Sequence, residues 1–252
     1  MSLNRASLYG ESIFTSFRSI NGRVFQLDLH LKRFFEGVNA YYFKGRLTYD
    51  QFVGHYLEGQ LLVNHYPNHY FRLTFIADEA PGARGIGLSA GKVLVEHKEI
   101  IYRKEQLKVK SMPSPYTKYS WQTKAGSYFE AFKSRGEAQS IGFDEVLFFQ
   151  TSGVITELST SRIVLQKGAV FYTPNLPQQF KSLGLAQFES FCEKHNYALE
   201  YTDIKLQDLK DFEGAFGLNS VRLIQPIIQI DQIDFEVNRE VLVSFLKEVG
   251  PL

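Results

Sequence analysis

Four features of the 252-residue chain carry groups able to do chemistry: Lys124 ahead of a predicted helix, Glu157 at the end of a predicted strand, the hydroxyl run Ser159-Thr160-Ser161, and Asn219-Ser220 after another strand. An amine becomes a nucleophile and proton carrier once its pKa is lowered by desolvation or nearby positive charge. A carboxylate at the end of an apolar strand, if buried, needs a cationic or hydrogen-bonding partner. Hydroxyl-rich turns offer donors to an anion and equally make ordinary turns. Taken singly, each feature also has a plain structural reading: Lys124 as a solvated charge, Glu157 as a strand-end carboxylate paired with Arg162, and Ser159-Thr160-Ser161 as a turn.

The elements that position these groups follow from turn residues and hydrophobic spacing. Residues 12–19 read as a strand, Asn21-Gly22 as a two-residue turn and 23–27 as the partner strand. A helix then starts near Asp28, a suitable N-cap, with Leu31, Phe34, Phe35 and Val38 on one face. His30 and Arg33 fall on a neighbouring side, at a domain seam or in solvent. A second helix over 49–63, a strand over 70–76, a three-glycine loop over 78–87 and strands over 92–96 and 106–111 follow. Pro113, Ser114 and Pro115 interrupt regular pairing and set the predicted boundary between domains 1–112 and 116–252. Beyond it, Tyr128, Phe129, Phe132 and Gly136 share a helical face that ends before Gly142. Two hairpins come next, over 145–149 with 154–158 and over 162–165 with 169–172. A helix over 183–195, strands over 199–202 and 214–218 and a last helix over 238–249 complete the chain.

Composition removes several function classes. Lys and Arg total 28 against 27 Asp and Glu, a net charge of +1, so no broad field draws in a nucleic acid. The densest basic cluster, Arg103, Lys104, Lys108 and Lys110, reads as a solvated strand edge. Hydrophobic residues at 44% and charged residues at 22% exclude a disordered or fibrous chain. The single cysteine, Cys192, lies between Phe191 and a helix end, where burial is expected; it rules out an internal disulfide and a four-thiolate zinc site, and no metal is expected. Residues 1–5 lack a signal-peptide pattern and no apolar run is long enough to span a bilayer, so a cytoplasmic address with no membrane partner is expected.

The order of the motifs is informative as a set. Asn4-Arg5-Ala6-Ser7-Leu8-Tyr9-Gly10-Glu11-Ser12-Ile13-Phe14 is similar to D-R-G-F-x-Y-G-D-G-V-F, and Leu27-Asp28-Leu29-His30-Leu31-Lys32-Arg33 to L-D-x-H-L-x-R. Lys124-Ala125-Gly126-Ser127-Tyr128 is similar to K-x-x-N-Y, and Gly142-Phe143-Asp144-Glu145 to G-x-D-E. Gly153-Val154-Ile155-Thr156-Glu157 is similar to G-x-V-T-E and Ser159-Thr160-Ser161-Arg162 to S-T-S-N, with Tyr172-Thr173-Pro174 closing the block. In these motifs the chain resembles, nearly end to end, the class IV aminotransferases, the pyridoxal-phosphate enzymes of fold type IV.

The resemblance implies an α+β fold of two domains, a small N-terminal α+β sandwich and a larger C-terminal domain built on a distorted β-barrel, with the cofactor cleft between them and a homodimer completing the site. It implies Lys124 as the Schiff-base lysine of pyridoxal 5'-phosphate, Glu157 facing the pyridine nitrogen and Arg33 binding the phosphate. A dianionic phosphate also wants backbone N–H groups at a helix start and hydroxyl donors. Leu183, Gly184, Asn219 and Ser220 are the candidates, and Ser161 can add to the cofactor face. Residues 182–185 stand where the family has G-I-T-R, without its threonine and arginine, and Arg162 replaces the asparagine after S-T-S. Tyr128, Phe129 and Trp121 are expected to wall the amine, and Lys118 is a rival nucleophile, six residues out of register. Arg84 and Arg222 are the candidates for meeting substrate carboxylate, whereas Arg72 and Arg18 read as structural. Gly82-Ala83-Arg84-Gly85 is similar to a segment of the aminodeoxychorismate lyases of the same family. The function implied is transamination between amino acid and keto acid; release of pyruvate from aminodeoxychorismate is the alternative, and a cofactor-free homologue the third.

Overall fold

The computed structural model describes residues 6–7, 10–24, 26–41, 48–57, 66–77, 91–100, 105–116, 123–126, 128–176 and 182–249. By its internal contacts the chain forms two units, Met1–Ile101 with Trp121–Ser127, and Tyr102–Ser120 with Tyr128–Leu252.

The first unit is built on an antiparallel sheet of β1 (Ser12–Ile20), β2 (Arg23–Val24), β3 (His69–Ala77) and β4 (Gly91–Glu99), in the order β2-β1-β3-β4. Asn21 and Gly22 take φ values of 48° and 76°, the left-handed pair that a tight hairpin with the right strand twist requires. Alternation along β1 sends Ile13, Thr15 and Phe17 to one face, opposite Phe75, Leu73 and Phe71 of β3. That face packs on α1 (Leu27–Tyr41) and α2 (Tyr49–Leu57), where Phe34, Val38 and Phe52 are fully buried. Phe14, Ser16 and Arg18 take the opposite face. Helix α1 starts one residue before Asp28, directly after Gln26 at φ 52°, so Asp28 sits in the first turn and favours the positive helix end by charge instead of capping it. The part of the second predicted helix beyond residue 57 lies outside the described residues.

The second unit carries a nine-stranded sheet. Its strands are β5 (Leu107–Pro113), β6 (Glu145–Phe149), β7 (Ile155–Leu158), β8 (Arg162–Lys167), β9 (Val170–Pro174), β10 (Ala198–Thr202), β11 (Gly214–Asn219), β12 (Leu223–Ile230) and β13 (Ile233–Asp234). The order is β10-β9-β8-β11-β12-β5-β6-β7, with β13 on β12. The sheet curls: end strand β7 comes back to β8 through a short link, where the Leu158 N–H donates to the Ser161 carbonyl at 2.9 Å. Leu147, Ile163, Leu165, Ala215 and Ile227 fill the interior of the curl. Outside it, Phe171 meets Phe188 of α4 (Leu183–Lys194) edge to face at 5.0 Å, and Phe188 meets Phe245 of α5 (Arg239–Val249) at 5.5 Å. Cys192 is buried on α4, as its neighbours predict. The α+β class and the half-barrel sheet agree with the expectation.

Three features differ from the sequence reading. β5, placed before the predicted boundary, pairs in parallel with β6 and β12 and so belongs to the large sheet. β12 has no counterpart in the sequence reading. Its Pro226 faces Phe216 of β11, while pairing with β5 begins only at Ile227, so the missing N–H interrupts no ladder on that side. On α3 (Phe129–Ser140) the predicted apolar face is outward: Phe129 is 72% and Phe132 54% exposed, and the helix packs through Ala131 and Ala138 against Val146 and Phe148.

Candidate active site

In the first unit, the segment bearing Lys124 is tied to β1 by its backbone. The Phe14 N–H donates to the Lys124 carbonyl and the Gly126 N–H to the Ser12 carbonyl, each at 2.9 Å. A Cβ at Gly126 would lie 2.0 Å from the Ser12 hydroxyl oxygen, so any larger residue requires that side chain to turn away. The result sets the Lys124 ammonium nitrogen 5.0 Å from the centre of the buried Phe14 ring. The Arg72 guanidinium lies 3.7 Å over the same ring, with Nε donating to Thr74 Oγ1 at 3.1 Å.

Phe14 is thus an apolar wall for the amine within the first unit; Tyr128 and Phe129 belong to the second unit, and Trp121 and the rival Lys118 lie outside the described residues. Arg72 lines a cavity of about 550 Å³ with Tyr70, Thr74, Ile76, Leu94 and Glu96. It is a site candidate that local spacing misses, although strand alternation from Phe14 through Ser16, which pairs with Arg72, is the signal that finds it. Arg18, on the same face of β1, is buried, and desolvation pushes its pKa down.

Arg33 is half-buried on α1, its Nη2 donating to Thr15 Oγ1 at 3.1 Å. Thr15 Oγ1 lies 3.0 Å from His30 Nδ1. His30 is 2% exposed, and its pKa is pushed from 6.5 down to about 2 by burial first, then by the charges of Arg33 and Lys124. Both cations thus act on one buried imidazole.

In the second unit three segments converge. Asn219 Nδ2 donates to Ser161 Oγ at 2.8 Å and to the Thr160 carbonyl at 3.4 Å, while its Oδ1 accepts the N–H groups of Val221 and Arg222 at 2.9 and 2.7 Å. That side chain braces the turn after β11, leaving Ser220 to supply a hydroxyl there. The turn closes at Leu223, held at φ 64°. Against it stands the start of α4, where the Ser182 side chain accepts the Leu185 N–H at 3.3 Å. A Cβ at Gly184 would lie 3.0 Å from the Asn219 Cα and carbonyl carbon, so the bare glycine lets the helix start meet the turn. Ser182 is spent as a cap, and the N–H groups of Leu183 and Gly184 are the first-turn donors that α-helical bonding leaves over.

Glu157 is half-buried near the end of β7. Glu145, on neighbouring β6 and buried, accepts the N–H groups of Val146 and Ser159 at 2.9 and 3.3 Å and stands 3.8 Å from Arg135, so it anchors the link that leaves Glu157. The Arg162 guanidinium is buried with Nη1 unpartnered; desolvation pushes its pKa down, and the fields of Glu157 and Tyr201 oppose that. Arg222 is pushed the same way by burial and Arg135, against Glu145. Arg84 lies outside the described residues. Among the described residues no group of three His, Cys, Asp or Glu can hold a metal, and no helix is long and apolar enough to cross a membrane.

Comparison with known proteins bears on what these groups do. Over 238 residues the chain is 27% identical to a probable branched-chain-amino-acid aminotransferase of Rickettsia typhi, covering 91% of this chain and 81% of that protein. The fold matches a putative 4-amino-4-deoxychorismate lyase of Legionella pneumophila with a TM-score of 0.84 at 19% identity, covering 98% and 92% of the two chains. It matches the branched-chain amino acid aminotransferase of Escherichia coli with a TM-score of 0.83 at 16% identity, covering 99% and 89%. The family model for amino-transferase class IV matches residues 12–230, and with that span covered the chain belongs to the class IV aminotransferase family.

Proposed function

We propose that the protein transfers an amino group between an amino acid and a keto acid using pyridoxal 5'-phosphate, the cofactor of its family. The observation that carries this reading is the backbone-locked Lys124, its amine over the buried Phe14 ring and sharing that ring with Arg72. The residues also fit the cofactor's phosphate. Gly184 leaves room where a Cβ would crowd the Asn219 backbone, and around that contact lie the N–H groups of Leu183 and Gly184 and the hydroxyl of Ser220. Arg33 adds the guanidinium that a dianion favours. When bound, the cofactor supplies a ring that accepts the electrons left on the substrate Cα after proton loss.

The chain's own residues supply the rest. Lys124 Nζ would hold the cofactor and would supply the base that carries the proton at the substrate Cα. Phe14 keeps water from that amine. Glu157 would face the ring nitrogen and favour its protonated form. Arg72, against the same Phe14 ring as Lys124, meets the substrate carboxylate, with Arg222 and Arg84 as further candidates. Ser161, Asn219 and Glu145 hold the turns in place. The homodimer implied by the resemblance is part of this reading, and elution of fully active protein as a monomer contradicts it.

Branched-chain amino acids head the substrate panel, because the curated relatives carry that name. The likeness to the Legionella pneumophila protein favours a second reading, pyruvate release from aminodeoxychorismate. Purified protein with cofactor separates the two. Keto-acid-dependent formation of a new amino acid is expected; aminobenzoate release with no amino transfer would overturn the first reading in favour of the second.

A further inference from the structure

Three side chains of the first unit form a directed chain of hydrogen bonds between β1 and α1. Arg33 Nη2 lies 3.1 Å from Thr15 Oγ1, and Thr15 Oγ1 lies 3.0 Å from His30 Nδ1. A guanidinium only donates, so the Thr15 oxygen accepts from Arg33. The oxygen's other partner is His30 Nδ1, which takes the hydroxyl proton in the Nε2–H tautomer of the neutral ring. Everything around the imidazole enforces that state. The ring is 2% exposed, stands 5.2 Å from the Phe17 ring, and has two cations in reach, which together push its pKa to about 2. A protonated ring would donate to the hydroxyl, turn its proton away and add a positive charge beside the Arg33 guanidinium.

The placement suits a device for holding one guanidinium. His30 and Arg33 are three residues apart on α1 and so share a face of the helix. Thr15, fully buried on the middle of β1, reaches both. An arginine side chain is long and rich in rotamers, and ordering it beforehand removes that cost from the binding step.

We propose that Thr15 and His30 are positioning residues for Arg33: the neutral imidazole fixes the Thr15 hydroxyl as an acceptor, and the hydroxyl holds the guanidinium in one rotamer for the cofactor's phosphate. The inference rests on Arg33 being a phosphate ligand, as read above.

The test compares equilibrium affinities of the purified protein for pyridoxal 5'-phosphate and for pyridoxal, which lacks the phosphate, in wild type and two pairs of variants. Thr15→Val removes the hydroxyl at nearly constant volume, and Thr15→Ser keeps it. His30→Leu removes the acceptor, and His30→Asn keeps one near the Nδ1 position. Thr15→Val and His30→Leu are expected to lower the preference for the phosphorylated form about tenfold, with pyridoxal affinity nearly unchanged. Thr15→Ser and His30→Asn are expected to retain the preference. In the Arg33→Lys background Thr15→Val should cost little more, because the two changes remove one interaction.

Equal weakening of both ligands, or full preference in Thr15→Val or His30→Leu, would overturn the inference. If Arg33→Lys loses the preference while the Thr15 and His30 variants keep it, only the positioning role fails. If wild type shows no preference for the phosphorylated form, the phosphate reading of Arg33 fails and takes the positioning role with it.

Discussion

Around β1, side chains hold the candidate groups: Thr15 accepts from Arg33 and lies against His30, and the Phe14 ring lies against Lys124 and Arg72. Around β7, β11 and α4, the backbone does more of the holding: Glu145 and Asn219 fasten turns by their N–H groups, and the donors left for an anion are main-chain amides. The difference sets what each region tolerates. A network of side chains responds to charge and protonation, whereas a cradle of turns responds to added volume and to backbone angle.

Acid should separate the two regions by the largest margin. His30 is held neutral in the folded chain, with its pKa lowered from 6.5 to about 2, so below pH 6.5 the unfolded chain binds a proton that the folded one refuses. Stability of the first unit is then full above that pH and falls by about 1.4 kcal/mol per pH unit as the pH drops, or roughly 2.7 kcal/mol two units lower. In the second unit Asp231 behaves differently. Burial works to raise its pKa, but hydrogen bonds from Lys110 and Ser111 outweigh it and hold the carboxylate below 3.8, so its contribution is lost only in stronger acid. Amide exchange followed from neutral pH to about pH 4.5 should loosen β1 and α1 before β5 and β12, and His30→Asn should remove the early loss. Simultaneous loosening in wild type would break the distinction.

Volume should matter most in the second region. Gly184→Ala places a Cβ about as far from the Asn219 backbone as a hydrogen bond is long, where neither the helix start nor the braced turn can readily yield. A loss of about 1–3 kcal/mol in chemical denaturation is expected, with weaker cofactor binding. Backbone angle gives the smallest effects, of opposite sign in the two regions. Gly168→Ala, at φ 57° with open space around it, should cost about 1 kcal/mol. Gln26→Gly, at φ 52°, should gain roughly 0.5 kcal/mol, the relieved strain partly offset by a freer unfolded chain. Thermal unfolding of both variants checks the signs.

The hairpins are legible in the sequence because Asn21-Gly22, Gly153 and Gly168 report a left-handed backbone by residue type alone. Order and spacing likewise carry the family motifs, and with them Lys124 and Glu157. What local spacing hides is set by pairing across the sheet. Arg72 becomes a candidate only through its register with Ser16 beside Phe14, 56 residues earlier in the chain, and the Thr15 partner of Arg33 lies on a different element, β1. Pro226 argues against a central strand until the late start of the β5 pairing is known. Phe129 and Phe132 suggest a buried helix face, yet the small residues Ala131 and Ala138 make the closer packing surface.

Reduction of the cofactor-treated protein with borohydride, followed by peptide mapping, bears on Lys124 directly. The account predicts a single pyridoxyl group on the Lys124 side chain and no stable adduct in Lys124→Ala. A pyridoxyl group on another lysine such as Lys118, or an unchanged adduct yield in Lys124→Ala, would contradict it.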